Sequence, residues 1–70
     1  MIGISEAMKI DNLEDLKEEL REHVSCRNKM GGALYWNILN DECVTIANKC
    51  LSLGGDRAET SGILGEGTHY

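Results

Sequence analysis

The chain has 70 residues, a formal net charge of −5, three cysteines and no proline. A chain this short hides only about 60% of the surface its unfolded form exposes, so one domain is the most it can build and a single core leaves it marginal. The acidic balance disfavours nucleic-acid and anionic-lipid binding, which rest on Lys and Arg neutralising phosphates, and no run of some 18 apolar residues offers a membrane span.

Small scaffolds usually add disulfides, a metal or a second copy of themselves. The odd cysteine count reads as reduced thiols in a cytoplasmic protein, not as a disulfide framework. The start, MIGISEAMKI, has neither the basic beginning nor the continuous apolar stretch of a secretory signal. Within it Ile2, Ile4, Met8 and Ile10 mix both periods, so a short helix, a strand or an ordered arm all fit. A strand ahead of two helices would give the layout of ribbon-helix-helix DNA binders. The segment carries one base, Lys9, and the overall charge argues against that function.

A first helix is expected over about residues 12–27. Asp11 can cap the free amides of its first turn, with Glu14 three residues on. Acids crowd its start and His23, Arg27 and Lys29 its end, the order that suits the helix dipole. Between Asp11 and Glu22 lie six acids and two bases. Leu13, Leu16, Leu20 and Val24 form a narrow apolar stripe at steps of three and four.

Gly31-Gly32 forms the turn to a second helix over about residues 33–53, with Gly54 placed for a left-handed C-terminal cap. Trp36, Leu39, Cys43, Ile46, Cys50 and Leu53 alternate steps of three and four, an a/d seam. Beside the seam lie Val44, Ala47 and Leu51, with Leu34, Tyr35 and Ile38 near the start. This helix carries more apolar surface than the stripe of the first can cover. The expected fold is therefore all-α: an antiparallel two-helix hairpin in a domain over residues 1–55, dimerising through that seam into a four-helix bundle or docking onto a larger protein. A short N-terminal arm precedes the hairpin, and a flexible Gly-rich tail over residues 56–70 follows it.

Chemistry-bearing residues are few. His23, Cys26, Cys43, Cys50 and His69 are metal-ligating types, but Cys43 and Cys50 are seven apart, about 10.5 Å along a helix. Zinc bonds near 2.0–2.3 Å cannot join them. No metal or cofactor is expected, and Cys43 and Cys50 read as small core residues. Cys26 lies near His23 and Arg27 yet lacks a third catalytic member, so no enzymatic activity is expected. GILGEG at Gly62–Gly67 lacks the Lys of a phosphate loop and a following helix.

These features point to a small acidic regulatory or adaptor protein that binds itself and another protein. Virus-encoded inhibitors of host enzymes offer an analogy of size and charge alone. The candidate protein interface comprises Glu14, Glu18, Glu22, Tyr35, Ile63, Leu64 and Tyr70. Alternatives are a small-ligand or metal sequestering protein using an inter-subunit cleft, and a structural subunit of a larger assembly.

Overall fold

The computed structural model describes residues 2–65. They form four helices and, among the described residues, no strand: α1 (Ile4–Ala7), α2 (Leu13–Lys29), α3 (Ala33–Ser52) and α4 (Arg57–Leu64). The all-helical class is as expected; in place of two helices with an arm and a tail there are four. Helix α2 packs most extensively on α3, α4 packs on both, and α1 packs on α3.

The N-terminal segment is helical because Ile4, Ala7 and Met8 fall at steps of three and four, the spacing that puts side chains on one helix face. Ala7 is fully buried, and Ile4, Met8 and Ile10 pack against the same core. This excludes the strand of a ribbon-helix-helix arrangement. Lys49 on α3 fixes the segment by donating from Nζ to the Met8 carbonyl.

Helix α2 begins at Leu13, with its cap one residue later than expected. Asn12, not Asp11, is the cap: it is extended and its side chain accepts from the Asp15 amide at 3.0 Å. Asn and Asp cap equally well, so two adjacent candidates cannot be separated by residue type. The dipole-matched order holds, with Glu14 and Asp15 in the first turn and Arg27 and Lys29 in the last.

Helix α3 ends in a Schellman motif. Gly54 sits at φ 89° and donates to Leu51 O at 3.1 Å, and Gly55 donates to Cys50 O at 2.9 Å. The chain then turns so tightly that a Cβ on Gly55 would lie 2.7 Å from the Cys50 carbonyl oxygen and 3.2 Å from Leu13 Cδ1.

That turn delivers α4, which corrects the expected flexible tail over residues 57–64. Asp56 caps the helix by accepting from the Glu59 amide at 2.9 Å, and Thr60 and Ile63, three apart, are buried. The signal was present in Asp56 and Glu59, a capping pair three residues apart. It is faint because eight residues give two turns and only one repeat of the apolar period.

The core combines Leu16, Leu20 and Val24 of α2, Cys43, Ile46, Ala47 and Cys50 of α3, Ala7 of α1 and Ile63 of α4. Cys43, Ile46 and Cys50 are thus enclosed within one chain, and no second copy is needed to cover them. No helix among the described residues is long and apolar enough to cross a membrane.

Candidate binding surface

The sequence of α2 decides where α3 is left uncovered. Its apolar stripe stops at Val24, and the last turns read Ser25, Cys26, Arg27, Asn28, Lys29. The first turns of α3 lie beside this polar end. There Arg27, only 1% exposed, takes the place of an apolar packing residue. Its guanidinium carbon lies 5.0 Å from the centroid of the Trp36 ring, a cation–π distance. Nη1 donates to Asn40 Oδ1 at 2.8 Å and Nε to Asn28 Oδ1 at 3.0 Å. Arg27 therefore ties the start of α3 to the end of α2 through Trp36 and Asn40, residues on the inner side of α3.

The outer side of those same turns has no such cover. Leu34 lies nine residues, about two and a half turns, from Cys43 and so on the opposite face of the helix. It is 70% exposed, Tyr35 is 62% and Ile38 48%. Met30, in the turn leading to α3, is also exposed. Leu34 and Ile38 are four apart and Tyr35 and Ile38 three apart, so the three form one contiguous face. Single exposed apolar residues are ordinary; contiguous ones mark interaction sites. Asp41 and Glu42 follow in the next turn, so an acidic border adjoins the apolar face.

Of the expected interface residues, Tyr35 belongs to this face. Glu14, Glu18 and Glu22 lie on an exposed line of α2. Two of them pair within their own helix: Glu14 Oε1 is 3.0 Å from Lys17 Nζ, and Glu18 Oε2 is 3.7 Å from Arg21 Nη1. The Glu18–Arg21 pair is exposed on both sides and contributes little. Ile63, expected to be an anchor offered to a partner, is instead 7% exposed and part of the core, and Leu64 packs against that core. Tyr70 and His69 lie outside the described residues. Of the a/d seam, Cys43, Ile46 and Cys50 are buried inside the chain, while Trp36, Leu39 and Leu53 are half-buried.

In the sequence Leu34 and Ile38 belong to the surplus apolar row of the second helix, and nothing in their residue types marks them as a site. The available signal was the end of the α2 stripe at Val24. Beyond it, the first turns of α3 have no apolar counterpart on the helix they fold back against.

Lys17, Cys43, Cys50 and His23 are titratable groups within the packed interior. Lys17 Nζ reaches Glu59 Oε1 at 2.7 Å, joining α2 to α4. Its hydrogen bonds to Glu59 and then Glu14 raise the Lys17 pKa above the ordinary lysine value. Burial pushes the Cys43 and Cys50 thiols up, since desolvation disfavours the thiolate. His23 is fully buried, with Nδ1 2.8 Å from the Glu19 carbonyl oxygen. A carbonyl can only accept, so Nδ1 carries the proton. Nε2 is buried without a hydrogen-bond partner, as is Glu19 Oε2. Among the described residues no three of His, Cys, Asp and Glu are grouped to hold a metal ion.

Comparison of the chain with protein-family models, with curated proteins and with solved structures gives no match. The functional reading therefore rests on the geometry.

Proposed function

We propose that this chain is a small acidic regulatory or adaptor protein that acts by binding another protein through the first turns of α3. One observation carries the reading: Leu34, Tyr35 and Ile38 share an exposed apolar face on a helix whose opposite side packs into the core through Cys43, Ile46 and Cys50. Burying such side chains is favourable by about 25 cal/mol per Å² of apolar area, and a large aromatic at the centre of a patch is a typical interface anchor. Arg27 and its partners hold this part of α3 in place, so little ordering remains to oppose binding.

The test is site-specific photo-crosslinking in the native cell. A crosslinking side chain at Tyr35 is expected to trap a discrete protein adduct, while one at exposed Asp15 on α2 is not. The adduct should disappear when Leu34 and Ile38 are both changed to Ser. Both residues are exposed, so the double variant should keep its fold, which circular dichroism checks. Equal adducts at both positions, or an adduct that survives the double substitution, would remove this face from the function.

A further inference from the structure

The binding reading leaves open what kind of surface meets α3, and the charges around the apolar face bear on that question. Its charged residues in chain order are Asp41, Glu42 and Lys49. Both acids come directly after the apolar turns. Lys49 lies two turns farther on, with its ammonium donated to the Met8 carbonyl. The outward strip of α3 therefore reads Leu34, Ile38, Asp41, Thr45: apolar at the turn end, acidic next, then polar. At the other end the face begins just after the Gly31-Gly32 turn, where exposed Met30 precedes it. The face thus has a direction, apolar at the turn end and acidic toward the centre of α3.

We propose that its occupant is a cationic amphipathic helix of another protein, with apolar residues at helical spacing over Leu34, Tyr35 and Ile38 and Lys or Arg over Asp41 and Glu42. This rests on the binding reading above and adds the chemistry of the partner. Helices recognise an apolar surface through anchors at steps of three and four, and complementary charge at the border steers the encounter and fixes its direction.

A second copy of the chain fits less well. Two α3 faces meeting antiparallel about Ile38 would place Asp41 of each, three residues along, opposite Tyr35 of the other. Each carboxylate would lose water without gaining a cation. A parallel pairing brings Asp41 against Asp41, and each copy carries a net charge of −5. An acidic amphipathic segment meets the same repulsion.

The experiment uses the full chain and two synthetic helical peptides of about fourteen residues, one of Leu and Lys and one of Leu and Glu, with identical Leu spacing. The Leu/Lys peptide is expected to bind, and the Leu/Glu peptide to bind at least about tenfold more weakly. Changing Leu34 and Ile38 to Ser should weaken Leu/Lys binding about tenfold, and Asp41→Asn with Glu42→Gln several-fold. The control pair Glu14→Gln with Glu18→Gln should change it by less than twofold. Leu/Lys binding that is absent, or as sensitive to the control pair as to Asp41 and Glu42, overturns the proposal. Comparable binding of both peptides, lost in the Leu34 and Ile38 variant, overturns the charge assignment while leaving α3 as the binding face. Sedimentation of the chain alone completes the test. A dimer abolished by the Leu34 and Ile38 substitutions would make a second copy the occupant.

Discussion

Two adjacent residues of α4, Gly62 and Ile63, give opposite expected effects on stability and together show whether residues 57–64 belong to the folded unit. Gly62 is exposed, and a Cβ built there meets nothing within 4 Å. Alanine in its place removes backbone freedom from the unfolded chain at no steric cost, worth about 0.5–1 kcal/mol in a helix interior. Because the helix ends at Leu64, the lower end, about 0.5 kcal/mol of stabilisation, is expected. Ile63 is 7% exposed in the core cluster. Cutting a buried Ile to Ala costs about 2–5 kcal/mol, and at the rim of this core about 2–3 kcal/mol is expected. A 70-residue domain has about 3.5–10 kcal/mol in all, so Ile63→Ala should remove a large share. At about 4–8 °C per kcal/mol, Tm should rise by about 2–4 °C in Gly62→Ala and fall by about 10–20 °C in Ile63→Ala. Thermal and urea unfolding followed by circular dichroism and by Trp36 fluorescence gives both shifts, with coincident curves as the check on two-state behaviour. Helix propensity at residue 62 can alter global stability only if α4 forms when the rest folds. Two variants that both unfold like the parent, within about 0.3 kcal/mol, would refute the docking of α4.

Other expectations follow from the same contacts. Gly55→Ala should be more damaging than Gly54→Ala. The first puts a Cβ 2.7 Å from the backbone oxygen that accepts the Gly55 amide, whereas the second has open space and carries only the cost of φ 89°, about 1–2 kcal/mol. Equal losses in urea titrations would show that the turn does not pack as closely as its geometry implies. Stability should also fall on the alkaline side. The raised Cys43 and Cys50 pKa values mean that the unfolded chain releases thiol protons first, so stability declines as pH rises past about 8.5. The raised Lys17 pKa acts in the same direction at higher pH. Its contribution is complete below the unfolded value of about 10.4 and lost as pH rises through the folded one. Urea midpoints at about pH 7.5, 9 and 10 should decline across that window. The decline should be shallower in the Cys43→Ala, Cys50→Ala double variant; an unchanged slope would remove the thiols as its cause.

How much of this was legible depended on the length of the repeat. The seventeen residues of α2 and twenty of α3 each span several turns, so periodicity, dipole-matched charges and the glycine at the C-terminal cap specify them from the sequence alone. Gly54 is a local requirement, since the left-handed backbone of that cap disfavours any side chain. The short helices α1 and α4 have too few turns for periodicity to register. What decides their helical state is the burial of Ala7 against α3 and of Thr60 and Ile63 against α2 and α3, which no local window contains. The spacing of Ile4, Ala7 and Met8 and the Asp56 cap add only short-range support.

The surplus apolar surface of α3 was visible, but its division was not. The sequence alone showed that α2 could not cover it and could not say what would. The tertiary structure assigns the Cys43, Ile46 and Cys50 side to α2 and α4 within one chain and leaves Leu34, Tyr35 and Ile38 outward. The physical reason is the placement of the short helices. The Gly54-Gly55 turn returns α4 from the far end of α3, and Lys49 fixes α1 through Met8. The near end meets only the polar last turns of α2, where Arg27 holds Trp36 and Asn40 and no apolar side chain is left to cover the face behind them.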